Sequence, residues 1–134
     1  DVTRTVCLGR ATDKQREIYS VVLAAQQAAL DLVKPGITGR MVDLAARNVI
    51  EKAGYGQYFG HGLGHSFGLD IHEAPRFAPN AQGDIVLKPG MVMTVKPGIY
   101  IPGWGGVRIE DDIIITENGH INLTTACKEL IEIV

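Results

Sequence analysis

Residues 58–75, Tyr58-Phe-Gly-His61-Gly-Leu-Gly-His65-Ser-Phe-Gly-Leu-Asp-Ile-His72-Glu-Ala-Pro75, carry three of the four histidines of the chain, and glycine recurs at 60, 62, 64 and 68. Each glycine would cost about 1 kcal/mol relative to alanine inside a helix, so this run is not helical and His61 and His65 are not a metal-binding pair on one helix face. Glycine instead permits close backbone approach and positive φ. Histidines displayed this way serve as metal ligands or proton carriers; the alternative is a glycine-rich surface loop. Either way the stretch divides the chain, with helical periodicity before it and β patterning after it.

Working back from it, Thr38 is placed to cap a helix over about 40–53, whose apolar stripe is Val42, Ala45, Ala46, Val49, Ile50 and Ala53 and whose closing glycine is Gly54. Before that, Thr12 and Gln15 have the form of a capping box. Ile18, Val21, Val22, Ala25, Ala29 and Leu32 then recur at helical spacing until Lys34-Pro35-Gly36, which predicts a helix over 13–33. Residues 2–8 alternate and are rich in β-branched side chains, the pattern of a strand. No turn and no partner precede this strand and the first residue is not Met, so the chain reads as part of something longer.

Working forward, Pro75 to Pro89 reads as a polar connection carrying Asn80, Gly83 and Asp84, with a short strand near 85–87. Strands follow over Met91–Val95, Ile99–Ile101, Gly106–Thr116 and Ile121–Thr124, punctuated by Pro97-Gly98, Pro102-Gly103 and Asn118-Gly119. Two long helices followed by mostly antiparallel strands give an α+β domain in which both apolar stripes pack on one face of the sheet.

The 134 residues suit one domain, and 46% apolar with 21% charged residues is the balance of a globular protein with a core. A net charge of −2 with scattered basic residues lacks the electrostatic footprint of a nucleic-acid binder. No apolar run approaches the ~20 residues that span a bilayer, and the N-terminus lacks signal-peptide features. A cytoplasmic protein without a membrane partner is the expectation, with Cys7 and Cys127 as reduced thiols.

In Gly106-Val-Arg-Ile-Glu-Asp-Asp112, strand alternation sets Arg108, Glu110 and Asp112 on one face and Val107, Ile109 and Ile113 on the other. Such a charged face is either a solvated edge, with an Arg–Glu pair worth less than about 1 kcal/mol, or one wall of a metal site with the histidines.

Asp1-Val-Thr-Arg-Thr, His61-Gly-Leu-Gly-His65, His72-Glu-Ala-Pro, Met93-Thr-Val-Lys-Pro-Gly-Ile-Tyr100 and Val107-Arg-Ile-Glu-Asp111 occur in an order that resembles the methionine aminopeptidase, prolidase and creatinase superfamily, and within it the bacterial Xaa-Pro dipeptidase and aminopeptidase branch. The resemblance covers residues 1–134 as a single, partial catalytic domain, the C-terminal part of the fold called pita-bread, a curved antiparallel sheet backed by helices. It implies hydrolysis of the bond before proline in a dipeptide or peptide, and two divalent ions (manganese, cobalt or zinc) held by two aspartates, one histidine and two glutamates. Carboxylate oxygens with one imidazole suit such ions, and a paired centre can activate water between them. By resemblance Asp1, His65 and Glu110 are metal ligands. His72 corresponds to a proton-transfer or intermediate-stabilising histidine, His61 to one near the scissile carbonyl, and Arg108 to a residue supporting His72.

Two departures shape the expectation. The family's first aspartate precedes the second by eleven residues, which lies before Asp1, and where the family reads Thr-Val-Glu-Pro-Gly this chain reads Thr-Val-Lys96-Pro-Gly. The replaced glutamate both binds metal and takes a proton from the bridging water, whereas an ammonium has no lone pair to give a metal. Lys96 is therefore expected to point at the pocket of Asp1, His65 and Glu110, close to Glu110, and to stand in for a metal cation. The site is expected to be empty or weakly occupied and peptidase activity negligible. The alternative is a non-catalytic binding or structural module on the same fold. A homodimer is expected because strand 2–8 lacks its hairpin partner.

Overall fold

Thr12 sits in extended backbone before helix α1 (Asp13–Leu32); its hydroxyl accepts from Gln15 N at 3.3 Å, and Gln15 Oε1 accepts from Thr12 N at 2.8 Å. Both orphan donors are thus satisfied reciprocally, as the capping box requires. Ile18, Val22, Ala25 and Ala29 form a fully buried stripe. Pro35 disfavours helical backbone in the residue before it, and the chain turns at Gly36, φ +91°. Helix α2 (Gly39–Lys52) opens with Thr38 Oγ1 accepting from Met41 N at 3.3 Å and buries Val42, Ala46 and Ile50 completely. Gly54, φ +88°, follows its end. The computed structural model describes residues 1–80 and 84–134, so Gly83 of the polar connection lies outside the described residues. Among them no helix is long and apolar enough to cross a membrane.

The two helices pack on each other and also on strands. The strands are β1 (Val6–Leu8), β2 (Gly64–Ser66), β3 (Glu73–Phe77), β4 (Val92–Val95), β5 (Gly98–Ile101), β6 (Gly105–Arg108), β7 (Asp111–Ile115), β8 (His120–Asn122) and β9 (Ile131–Ile133). Antiparallel ladders run β4-β7-β8, β5-β6 and β2-β3, while β1 pairs with β9 in parallel. Gln26, buried in α1, donates to Val95 O at 3.1 Å and fastens that helix to β4. One core unites Ile18, Val22 and Ile50 with Phe77, Met93, Val95, Ile99, Ile109 and Ile113. The α+β architecture, both helices and the antiparallel pattern are those expected from sequence.

Four differences beyond a shift of one or two residues bear on the strands expected from sequence, each for a local reason. The expected strand over 106–116 divides into β6 and β7, because β6 pairs with β5 and β7 with β4, and the partner changes at Ile109-Glu110. There Glu110 exchanges backbone hydrogen bonds with Thr3 at 3.0 and 3.3 Å. The expected strand over 2–8 keeps regular pairing only at Val6–Leu8, plus that bridge at Thr3. The connection after Pro75 begins as strand, β3 running to Phe77, with Pro75 at the irregularity of the β2–β3 register, where it has no partner residue. Near 85–87 a single bridge, Thr38 to Val86, replaces the expected strand. Strand β9 was not legible because its partner β1 is distant in sequence and no turn joins them.

Strand β2 comes up against β4: Lys96 N donates to Leu63 O at 2.7 Å and His65 N to Thr94 Oγ1 at 3.2 Å. A Cβ on Gly64 would overlap the Thr94 carbonyl, whereas one on Gly60 would meet nothing within 4 Å. Gly64→Ala should therefore cost more than about 2 kcal/mol and Gly60→Ala about 0.5 kcal/mol or less, a contrast that urea unfolding of the two variants measures.

Candidate metal centre

Strand β2 carries His65 into the core, where it is 2% exposed, and the β6–β7 junction brings Glu110 to the same place, also 2% exposed. Asp1 approaches from the chain segment bridged to Glu110 through Thr3. One ligand atom each from Asp1, His65 and Glu110 lies within 4.8 Å of the others, with His65 Nε2 3.6 Å from Asp1 Oδ2. His65 Nδ1 is 3.0 Å from the Ser66 carbonyl, which only accepts, so Nδ1 carries the proton and Nε2 presents a lone pair toward the carboxylates. Glu110 Oε2 accepts from Thr3 Oγ1 at 2.7 Å. His65 Nε2 and Glu110 Oε1 are buried with no hydrogen-bond partner. Native structures seldom leave such atoms unpaired, and both are electron-pair donors facing one point. The donor set fits one divalent cation.

Lys96 does not take that place. Its charge acts on His65, His61 and Glu110, but among the described residues no carboxylate lies within 4.0 Å of its ammonium. The expected close pairing with Glu110 is therefore absent. Lys96 lines a cavity of about 250 Å³ with His61, His65, His72 and Arg76, which the carboxylates of Asp1 and Glu110 do not line. Its pKa is lowered by burial, with Glu110 opposing and Arg108 and Arg76 reinforcing the shift.

His72 is exposed, its ring centroid 4.4 Å from that of His65. His61 Nδ1 faces the Gly62 carbonyl at 2.8 Å, which leaves Nε2 to accept from Tyr100 Oη at 2.6 Å. Arg108 donates through Nε to Thr3 Oγ1 at 3.1 Å, and Thr3 holds Glu110, so this contact runs toward the candidate ligand and not toward His72. Asp112 Oδ2 accepts from the Asp1 backbone nitrogen at 2.8 Å.

Two features escaped the sequence reading. Asp43 and Arg47 of α2 form a buried pair, Nε to Oδ2 at 2.8 Å, that grips the histidine stretch: Leu63 N donates to Asp43 Oδ1 at 2.9 Å, and Arg47 donates to Phe59 O at 3.0 Å and His61 O at 2.9 Å. Their i, i+4 spacing is present in the sequence, but an exposed pair has the same spacing; burial is what changes its role. Asp111 is the second, fully buried. Burial alone would raise its pKa, but hydrogen bonds from Lys128, Asn122 and Arg4 outweigh that and lower it. Arg4 also donates to the carbonyls of Thr3 and Glu110, both at 2.9 Å, which ties the Asp1 segment to the Glu110 turn.

Burial lowers the pKa of both His61 and His65 below the ordinary 6.5, against the bonds each makes to a backbone carbonyl. The unfolded chain then binds more protons than the folded one below that value. Stability from these neutral rings is complete above about pH 6.5 and is lost as pH falls through the folded-state values. Thermal unfolding in EDTA should show Tm falling from about pH 7 to about pH 5, with a shallower fall in His61→Gln. Arg47→Met should cost about 3 kcal/mol or more by stranding the Asp43 carboxylate, read by urea unfolding.

Residues 1–117 match the model of Metallopeptidase family M24. The chain is 53% identical over 131 residues to the Xaa-Pro dipeptidase of Pyrococcus horikoshii, covering 98% of this chain and 37% of that protein. It superposes with a TM-score of 0.94 at 54% identity on the Xaa-Pro dipeptidase from Bacillus anthracis, covering 98% of this chain and 37% of that one. A zinc-substituted E. coli aminopeptidase P in complex with product matches at TM-score 0.78 and 35% identity, over 93% of this chain and 34% of the other. The chain thus spans a little over a third of the length of these relatives and shares the pita-bread architecture of the part it covers. With the family model matched from Asp1 past Glu110 and the candidate ligands gathered at one point, the chain belongs to metallopeptidase family M24 and corresponds to a C-terminal part of a prolidase.

Proposed function

We propose that this chain carries the substrate-facing surface of a Xaa-Pro peptidase whose metal centre is reduced to one weakly held ion by Lys96. The observation that carries the reading is the convergence of Asp1, His65 and Glu110 with two of their buried donor atoms unpaired. A divalent cation on these three residues would polarise a carbonyl or acidify a water molecule. Manganese, cobalt and zinc all suit two carboxylates and one imidazole.

The chain's own residues supply the rest. Tyr100 and the Gly62 carbonyl fix the His61 ring at the cavity rim, and the Asp43–Arg47 pair fixes the backbone beneath it. His72, exposed beside His65, has room to take or give a proton at the substrate. Thr3 orients the Glu110 carboxylate and Arg108 orients Thr3. What is missing is a base at position 96, where an ammonium can donate but not accept. That one side chain also favours a second reading, a non-catalytic module that keeps the fold and not the chemistry. A proline-containing dipeptide or peptide as ligand and a cytoplasmic location complete the proposal. A homodimer is supported by the β1–β9 ladder, which leaves Val6, Leu8, Ile131 and Ile133 exposed.

Hydrolysis of a Xaa-Pro dipeptide should be barely detectable with added manganese, and Lys96→Glu should raise both turnover and manganese affinity, the latter about tenfold or more. Raised affinity without turnover would favour the non-catalytic module; no change in either would defeat the proposal.

A further inference from the structure

Residues 1–5 take over an edge of β7 at the point where the chain after β8 leaves it. Leu123 N donates to Asp112 O at 2.8 Å and Asp112 N donates to Thr124 Oγ1 at 3.0 Å, so the Asp112 backbone is committed to the chain that follows β8. Thr3 and Glu110 exchange both of their backbone bonds, and an antiparallel register carried two residues on from that bridge sets Asp1 opposite Asp112. With its amide and carbonyl already paired, Asp112 meets Asp1 through its side chain: Oδ2 accepts from the Asp1 backbone nitrogen at 2.8 Å.

On its other flank Asp112 lies opposite Thr94 in the β4–β7 ladder. Thr94 Oγ1 accepts from His65 N at 3.2 Å. One cross-strand pair thus holds two of the three candidate ligands by their backbone nitrogens, and their side chains meet with Asp1 Oδ2 3.6 Å from His65 Nε2. Asp112 is not itself a member of the group formed by Asp1, His65 and Glu110. Arg4 and Lys128 pair with its neighbour Asp111. Among the described residues the Asp1 nitrogen is the sole partner of the Asp112 carboxylate, whose Oδ1 is buried and unbonded. A largely buried carboxylate with so few partners costs more to desolvate than it returns, so stability alone does not account for an aspartate here.

We propose that Asp112 is a positioning residue of the candidate metal centre: by fixing the Asp1 backbone, its carboxylate sets the Asp1 side chain against His65 and Glu110 without binding the cation itself. Groups that orient ligands in this way govern metal affinity. The inference rests on the reading of Asp1, His65 and Glu110 as ligands, so one arm of the experiment needs no metal.

Asp112→Val removes the acceptor, Asp112→Glu keeps the charge and moves the oxygens outward, and Asp112→Asn keeps an acceptor without the charge. In crystals grown with EDTA, Asp1 should leave its place beside His65 Nε2 in Asp112→Val and Asp112→Glu and keep it in Asp112→Asn. Calorimetric titration with manganese should show affinity lower by about tenfold or more in Asp112→Val and Asp112→Glu, and a smaller loss in Asp112→Asn. Urea unfolding in EDTA should be nearly unchanged in Asp112→Glu, which separates positioning from stability. If Asp112→Val does not fold, the other two variants carry the test. Manganese bound as tightly by Asp112→Glu as by the unaltered chain, with Asp112→Asn weakened, would mean that Asp112 acts by charge alone and would overturn the proposal. Asp1 still beside His65 in the metal-free Asp112→Val or Asp112→Glu crystals would overturn it as well. An unaltered chain that takes up no manganese would defeat the three-ligand reading, and the metal-free crystals would then decide the role of Asp112.

Discussion

The contact on which the site depends is the approach of the Gly64 backbone to the Thr94 carbonyl. Strand β2 is only three residues long and leans on β4 through two hydrogen bonds, one from Lys96 N to Leu63 O and one from His65 N to the Thr94 hydroxyl. At that separation there is no room for a side chain, so the glycine is a steric requirement of the packing. The consequence is functional: His65 is carried into the interior on one side of the contact, and Lys96 leaves β4 on the other. One backbone approach sets which residues share the cavity.

Charge then decides what the cavity can hold. The buried carboxylates elsewhere are fully answered, Asp43 by Arg47 and a backbone amide, Asp111 by Arg4, Lys128 and Asn122. Such groups cost heavily to desolvate and persist only where partners surround them. Glu110 and His65 break that pattern, each keeping one buried donor atom without a partner; Gln26 Oε1 and Asp112 Oδ1 do the same, but only Glu110 and His65 belong to the Asp1 cluster. Lys96 adds positive charge next to them without pairing to them, which lowers the attraction of the pocket for a second cation. A single Glu-to-Lys difference from the family pattern thus puts an ammonium where the resemblance expects a carboxylate.

Much of this was legible in the sequence. The two helices were given by Thr12, Thr38, Gly54 and their apolar periods, since caps and stripes are local. The gathering of Asp1, His65 and Glu110 was legible through motif order, which preserves what periodicity cannot show. The division of residues 106–116 into β6 and β7 was hidden, because a change of strand partner leaves no mark on alternation. Burial of the Asp43–Arg47 pair was hidden for a related reason: an i, i+4 pair looks the same whether a loop covers it or water does. Arg76 was missed because only the register of β2 with β3 turns it toward the histidines. The expected Lys96–Glu110 contact assumed that an ammonium would follow a carboxylate's path, whereas the longer side chain lies in the adjoining cavity.

The central claim is that the residues present support one metal ion on Asp1, His65 and Glu110 and none at Lys96. Anomalous diffraction at the manganese absorption edge from crystals soaked in manganese tests it directly. The account predicts a single peak, of partial occupancy, between the His65 imidazole and the two carboxylates. Two peaks at full occupancy, or one peak in contact with Lys96 Nζ, would contradict it.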